Sequence, residues 1–330
     1  TITTPTTTSV DFNATAGNVR DLTINHASCV VNSENTCELS RNLTITAGNF
    51  NANGNNLTVT GHVSIDGTLT GANSAISAGS MIINSGGTYS ATTGTTTINS
   101  ENASHAFRCS GGGTFTDNNG TLLITTPAET RLKMNGTGNV HHLTVNHASC
   151  VLFMESDTST TIEGNLTVTA GTVNSNTQGG ASRNLTVNGT VTLADGDLLL
   201  NASEVTIGGF SVTGDGEMTG TTHANGLIVL GNWRSAGSRF NNADGKVVFK
   251  GSSGGTIAMN GAGSTGEGFY DVEINIAGQT YTVSEWDLTG IERNLTITAG
   301  TLTTDASNDR ALTVGGYCDV LGTLTLNGST

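Results

Sequence analysis

The sequence predicts an all-β fold, specifically a right-handed parallel β-helix (β-solenoid) in which short strands stack in successive turns. Three observations support this fold class. Apolar and polar residues alternate over many short segments, Gly and Asn residues separate those segments, and blocks of sequence recur along the chain. The recurring blocks lie about 120–130 residues apart, so each super-repeat has room for several turns.

The short segments have the period of two that is expected of strands with one buried face. Leu, Ile or Val alternates with Thr at 43–46, 57–60 and 166–169, and Leu alternates with Thr and Asn at 324–327. Such alternation places the aliphatic side chains on one face of a strand and the polar ones on the other. Thr suits the outward face because its branched Cβ favours extended backbone.

Composition excludes some classes of protein. The 330 residues include 45 Gly and 2 Pro, and 12 Lys and Arg stand against 26 Asp and Glu. The net charge of −14 argues against a nucleic-acid-binding module, which needs clustered cations. Low hydrophobicity with net charge also occurs in disordered chains, but the regular alternation predicts an ordered one.

One block occurs three times and defines the super-repeats. Its copies are 18–25, 139–146 and 269–275, and each is followed by an Asn-Leu-Thr strand that runs into Thr-Ala-Gly. The first two copies continue as His-Ala-Ser-Cys. We therefore predict one continuous solenoid with four parts: a Thr-rich lead-in strand (1–17), a first super-repeat (18–138), a second (139–268) and a partial third (269–330).

The intervals between strands are too short for a separate domain around each strand. At roughly 20 residues per turn the chain makes about 16 turns, which stack at about 4.8 Å into a rod on the order of 75 Å long. Right-handed coiling is the default for parallel crossovers. A row of β-sandwiches is the competing fold, although sandwiches favour longer strands and aromatic-rich cores.

The third super-repeat stops early, and the chain begins without Met or a signal segment. Uncovered strand edges pair readily with other chains. We therefore expect either that the chain is a segment of a longer protein or that neighbouring domains or subunits cover its ends.

A resemblance that extends over nearly the whole chain rests on segment 79–98 and on four motifs: Asn-x-x-Leu-Thr-Ile-Asn, Asn-Leu-Thr-Ile-Thr-Ala-Gly-Thr-Leu, Ala-Leu-Thr-Val-Gly-Gly and Gly-Thr-Leu-Thr-Leu-Asn-Gly. In these motifs the chain resembles the β-helical repeat proteins of marine bacteriophage virions and the adhesin-like surface proteins of bacteria. The resemblance implies a rigid rod on a virion or outside the cell, and it brings no catalytic motif.

We therefore expect a non-enzymatic structural rod of a phage virion, of the tail-fibre, spike or capsid-decoration type, that mediates attachment. One alternative is a bacterial cell-surface adhesin or filament-forming surface protein, and another is a polysaccharide-cleaving spike depolymerase. The expected partners are other structural proteins of the same particle or surface layer, a host-surface glycan, and further copies in a trimer or an end-to-end stack. Neither nucleic acid, nor a membrane span, nor a cofactor is expected.

The depolymerase alternative depends on paired carboxylates that share one face of a strand. The pairs are Asp195 with Asp197, Asp215 with Glu217, and Glu155 with Asp157. One acid of such a pair would donate a proton while the other activates water or attacks the sugar. The first two of these pairs flank a Gly in turn-like contexts, and the chain has only two Trp, Trp233 and Trp286, which mark either a binding patch or the core.

His141, His142 and His147 are close in sequence, but nothing in the sequence places Cys or a carboxylate to complete a tetrahedral metal site. We expect solvated histidines beside a turn, with His142 facing solvent because Leu143 and Val145 point inward. The sequence thus predicts no catalytic, cofactor-binding or metal-ligating residue.

The cysteines form no Cys-x-x-Cys pair. Cys318 aligns with two inward-facing valines, and only Cys29 and Cys37 are near enough in sequence for a local disulfide, which the sequence leaves open. The segment Gly261–Gly266 matches a dinucleotide-binding fingerprint, but a strand follows it where that fingerprint needs a helix, so we predict a turn.

Overall fold

The chain forms a parallel β-solenoid. The structure, a computed structural model, describes residues 1–12, 19–99, 104–260, 268–285, 288–307 and 310–327. Strands account for 59% of the residues and helix for 1%, in about 13 turns of ~22 residues each. The predicted fold class is confirmed, but the turns are fewer and longer than the roughly 16 expected at about 20 residues per turn.

The chain divides into two compact units, Thr1–Gly164 and Asn165–Thr330. The strands of the first unit are β1 (Thr7–Val10), β2 (Leu22–Ser33), β3 (Cys37–Leu39), β4 (Leu43–Asn51), β5 (Leu57–Ile65), β6 (Thr68–Thr70), β7 (Ile76–Ile83), β8 (Thr88–Ser90), β9 (Thr95–Ile98), β10 (Phe107–Cys109), β11 (Thr114–Thr116), β12 (Thr121–Ile124), β13 (Glu129–Met134), β14 (His142–Met154) and β15 (Ser159–Ile162).

The second unit contains the other strands and one short 3-10 helix. Its strands are β16 (Leu166–Asn174), β17 (Asn184–Leu193), β18 (Asp197–Leu199), β19 (Val205–Val212), β20 (Met218–Thr219), β21 (Leu227–Val229), β22 (Trp233–Ala236), β23 (Phe240–Asn241), β24 (Lys246–Phe249), β25 (Gly255–Asn260), β26 (Asp271–Val283), β27 (Leu288–Ile291), β28 (Leu295–Thr304), β29 (Leu312–Val314), β30 (Cys318–Val320) and β31 (Thr323–Thr325). The helix is Gly237–Arg239, and no helix among the described residues is long and apolar enough to cross a membrane.

The interior of the first unit is built from columns of apolar side chains that stack from turn to turn. One column is fully buried and consists of Leu43, Val63, Met81, Phe107, Leu132 and Met154. Its members are strand partners in parallel register, so each contacts the equivalent residue of the next turn. The period-two alternation of the sequence therefore becomes a continuous core.

The second unit has the same kind of column, with larger aromatic side chains. The residues in register are Leu166, Val191, Phe210, Trp233, Ile257 and Val283. Trp233 is 0% exposed, and its indole N–H donates to the hydroxyl of Ser235 at 2.9 Å. Trp233 is thus part of the core and does not form a surface binding patch.

The recurring sequence blocks produce the same backbone irregularity. The pairing of β2 with β4 shifts register on either side of Asn25, and the pairing of β26 with β28 does so on either side of Asn275. The Gly of the Thr-Ala-Gly segment has φ of +91° at Gly48, +89° at Gly171 and +84° at Gly300. This left-handed conformation favours glycine, which explains why the segment contains it in every copy.

The Thr-rich start of the chain adds a strand to the first turn. β1 pairs in parallel with the Val30–Ser33 part of β2, and Ile2 forms a bridge with Ile24. Residues 13–18 lie outside the described part. The predicted lead-in strand at 1–17 thus corresponds to the four residues of β1.

The last described turn has the predicted register but not the predicted burial. Leu295 pairs with Cys318 as Leu43 pairs with Val63, so the alignment of Cys318 with an inward position holds. Cys318 is nevertheless exposed, because no described strand pairs with the other edge of β30. Tyr317 and Leu321 of this turn are 63% and 75% exposed for the same reason.

Candidate functional site

One corner of the first unit brings together three side chains that could hold a metal ion. Asp117 follows β11, His141 precedes β14 and Glu163 follows β15. One ligand atom from each residue lies within 4.8 Å of the others. The side chains of Asp117 and His141 are 21% and 23% exposed, and Glu163 is exposed. The cluster therefore lies at the surface with one side turned to the protein.

Backbone and amide hydrogen bonds hold the two carboxylates. The N–H of Asn119 donates to Oδ1 of Asp117 at 2.6 Å, and the side-chain amide of Asn139 donates to Oε1 of Glu163 at 2.9 Å. The N–H of Gly164 donates to the carbonyl oxygen of His141 at 2.7 Å. Such contacts orient potential ligands before anything binds to them.

A small cavity lies on the inner side of this cluster. It has a water-accessible volume of only about 10 Å³ and is lined by Asp117 and His141 together with Thr and apolar residues, including Phe115 and Val140. Nδ1 of His141 is buried and has no hydrogen-bond partner among the described residues; its distance of 3.6 Å to Oδ1 of Asp117 is too long for one.

The sequence predicts that His142 faces solvent, but the structure covers part of its side chain. It is partly buried, its ring meets that of His141 edge-on at 4.5 Å, and Gly164 lies against it so closely that a Cβ there would collide with Nδ1. Burial lowers the pKa of His142 and the neighbouring His141 lowers it further, while Asp117 acts in the opposite direction. The next turn of the solenoid covers this ring, a contact that strand alternation does not reveal.

No local pattern in the sequence marks Asp117 and Glu163 as potential ligands. Each lies about one turn of ~22 residues from His141, so no short motif contains two of the three. A search for His and carboxylates spaced by one solenoid turn would have found them. That spacing becomes informative only once the turn length is known.

His147 hydrogen-bonds to the backbone of its own segment and is not part of the Asp117, His141 and Glu163 cluster. Its Nδ1 accepts the backbone N–H of Ser149 at 3.2 Å, and Nδ1 of His26 accepts that of Ser28 at 3.1 Å. The repeated His-Ala-Ser-Cys segment, which lies within β2 and β14, is therefore a strand segment in which the imidazole accepts a backbone N–H two residues on.

The acid pairs of the second unit bond to neighbouring turns. Oδ1 of Asp195 accepts the N–H of Asp215 at 3.2 Å, and Oδ1 of Asp197 accepts the N–H of Glu217 at 3.0 Å. The carboxylate of Asp215 in turn forms an ion pair with Arg239. These acids join one turn to the next.

The Glu155 and Asp157 pair also joins turns. Glu155 lies 3.6 Å from Nε of Arg131, and Asp157 lies 3.1 Å from Nζ of Lys133. The side chains of Asn135 and Asp157 hydrogen-bond, and the N–H of Asp157 donates to Oδ1 of Asn135 at 2.9 Å.

An open polar groove lies on the outward face of β21, β24 and β26. It has a water-accessible volume of about 380 Å³ and is lined by residues that include Glu204, Asn225, Lys246, Lys250 and Glu273. Burial would raise the pKa of Glu273, but a 2.7 Å hydrogen bond and ion pair with Lys246, with two further hydrogen bonds, lowers it below its usual value. This groove offers both hydrogen-bond donors and acceptors to a polar ligand.

Two sequence features lie outside the described residues. They are Trp286 and the glycine-rich segment 261–266.

All five cysteines are free, which removes the Cys29–Cys37 disulfide that the sequence left open. Four are buried, and Cys318 is exposed. Burial, with a smaller contribution from Glu38, raises the pKa of Cys37 to about 12, and burial raises that of Cys150 to about 11. A buried thiol with a raised pKa reacts slowly, since the thiolate is the nucleophile.

We expect iodoacetamide to modify one thiol per native chain, Cys318, and all five in guanidinium chloride without reductant. Intact-mass spectrometry before and after unfolding measures both numbers, and a Cys318→Ser variant should show no modification of the native chain. Three modified thiols in the unfolded chain would instead reveal a disulfide.

No protein-family model, curated protein or solved structure matches the chain.

Proposed function

We propose that the chain is a non-enzymatic structural rod of a phage virion, of the tail-fibre, spike or capsid-decoration type. The structural role is supported by the contacts of the acid pairs. Hydrogen bonds or ion pairs to neighbouring turns are made by Asp195, Asp197, Glu155 and Asp157. Hydrolysis of a glycan needs carboxyl groups directed at a substrate. Here the same groups strengthen the stack of turns.

The buried columns of each unit support the same role. Most described strands pair in parallel with strands of the turns before and after them, and aligned apolar side chains fill the interior. A stack of this kind resists local opening because each turn is held by two others. The virion location rests on the resemblance of the repeat motifs to phage proteins, and a bacterial cell-surface adhesin is the alternative location.

Attachment is the second part of the proposal. The polar groove on β21, β24 and β26 is the surface best suited to a host glycan, because Lys250, Asn225 and Glu204 can exchange hydrogen bonds with sugar hydroxyls. Other structural proteins of the particle, and further copies of the chain, are the remaining proposed partners.

Antibodies raised against the recombinant chain test the location. We expect immunogold labelling of virus particles purified from the source material and no labelling of cell envelopes. Labelling of envelopes alone would replace the virion with the adhesin.

A polysaccharide assay tests the absence of catalysis. We expect no release of reducing ends from a panel of capsular and exopolysaccharides. Release by the unaltered chain that is lost on the paired change Asp195→Asn and Asp197→Asn would establish a depolymerase.

A further inference from the structure

The side chains of Asp117, His141 and Glu163 converge from three consecutive turns. The bridges Thr114 with Thr137 and Val140 with Ile162 place the three residues at equivalent corners of adjacent turns. Turns stack at about 4.8 Å, so the backbones of Asp117 and Glu163 are about 10 Å apart. Their ligand atoms nevertheless lie within 4.8 Å of each other. Simple stacking does not produce this approach; the side chains lean towards His141.

Neither of the two carboxylates has a Lys or Arg partner in the described part of the chain. Among the described residues, no Lys or Arg nitrogen lies within ion-pair distance of Asp117 or Glu163, whereas Asp157 and Asp271 pair with Lys133 and Arg293. Two carboxylates this close repel each other. A bound cation would offset that repulsion, as Lys and Arg do elsewhere in the chain.

A second observation is that the buried Nδ1 of His141 has no hydrogen-bond partner among the described residues and lies 3.6 Å from Oδ1 of Asp117. Buried polar atoms in folded proteins almost always have a partner, so this nitrogen calls for one. It lies on the side of the ring that approaches Asp117, where a neutral imidazole could offer its lone pair to a metal ion.

We propose that Asp117, His141 and Glu163 form a binding site for a divalent transition-metal ion of the Zn²⁺ or Mn²⁺ class, which links three consecutive turns of the first unit. An imidazole nitrogen with carboxylate oxygens suits these ions, while Ca²⁺ and Mg²⁺ prefer oxygen ligands alone. Ligand atoms of a tetrahedral Zn²⁺ site lie about 3.4 Å apart. Side-chain rotations that move each ligand atom by about 1 Å would therefore bring the three atoms to coordinating distance of one ion. Water would complete the coordination.

The bound ion would act as a cross-link between turns that are distant in sequence. Because the ion binds the folded chain and not the unfolded one, it should raise the unfolding temperature. This role is independent of the proposed virion location.

Titration of the chelator-treated full chain with ZnCl₂ at pH 7.5, followed by calorimetry, tests the site. We expect one saturable site per chain and an increase of several degrees in Tm. The variant Asp117→Asn with Glu163→Gln should lose at least 30-fold in affinity, and His141→Gln should lose at least 10-fold. The amides retain the hydrogen bonds from Asn119 and Asn139, so the double variant should fold as the unaltered chain does.

The matched controls are His147→Gln, which changes a histidine that bonds to the backbone of its own strand, and Asp157→Asn, which changes an acid already paired with Lys133. Both should bind Zn²⁺ as the unaltered chain does. Absence of saturable binding, or equal affinity in the His141→Gln variant, would overturn the site. An equal increase in Tm from CaCl₂ would overturn the assignment to a transition metal. Should the double variant not fold, the His141→Gln variant carries the test by itself.

Discussion

Replacing Trp233 by Ala should lower the free energy of unfolding by about 4 kcal/mol or more, within or above the range for deleting a buried aromatic side chain. The indole ring has no exposed surface and packs against three phenylalanine rings at centroid distances of 4.5 Å (Phe210), 4.8 Å (Phe240) and 5.2 Å (Phe269). These rings lie on strands that are fixed by parallel pairing. The neighbouring turns therefore cannot move into the cavity left by Trp233→Ala without breaking backbone hydrogen bonds between strands. The buried hydroxyl of Ser235 would also lose its hydrogen-bond donor.

Urea unfolding followed by far-UV circular dichroism measures this change. The matched control is Arg234→Ala, whose side chain is 47% exposed and pairs with Glu285 at the surface, and which should cost less than about 1 kcal/mol. Trp233→Phe should fall between the two because it keeps one ring in the column. A Trp233→Ala loss as small as that of the control would show that the cluster is not part of the core.

Replacing Gly48 by Ala should destabilise the chain by about 2–5 kcal/mol, through a conformational cost and a steric one. Its φ of +91° costs an L-residue about 1–2 kcal/mol. A Cβ at this position would also lie 2.5 Å from the carbonyl oxygen of His26 and 2.6 Å from that of Cys29, which are backbone atoms of the adjacent turn. Neither atom can move without disturbing the pairing of β2 with β4.

Gly86 separates the two effects. It has a similar φ of +86°, but no atom lies within 4 Å of where its Cβ would be. Gly86→Ala should therefore cost only the conformational part, about 1–2 kcal/mol. Equal losses for the two variants, measured by urea unfolding under the same conditions, would show that contact with the adjacent turn contributes nothing.

Much of the fold could be predicted because its information is local. Alternation at 43–46 and 57–60 identifies Leu43 and Leu57 as inward, and both are buried. The recurring Thr-Ala-Gly segment identifies equivalent positions of the repeats, because Gly48 and its counterparts share the same left-handed backbone conformation.

The candidate metal site could not be predicted, and the reason is geometric. His141 was recognisable as a potential ligand, but its partners Asp117 and Glu163 belong to other turns. A small error in turn length would place a different residue opposite His141 at every step. The sequence predicted roughly 20 residues per turn, whereas the structure has ~22. This difference is large enough to place the wrong residue opposite His141.

For Cys318 the sequence predicted the strand pairing but not the burial. Its register was predicted correctly from Val63, since pairing follows the repeat. Its exposure depends on whether another strand covers it, which a local pattern does not encode.

The sequence by itself determined that this chain is a β-solenoid and which faces of its strands point inward, because period-two alternation and recurring glycines act within a few residues. The tertiary structure alone decided which side chains of different turns meet. It made Trp233 a core residue, used the acid pairs to join turns, and brought Asp117, His141 and Glu163 together. Those contacts depend on turn length and stacking register, which are set by the packing of whole turns on one another.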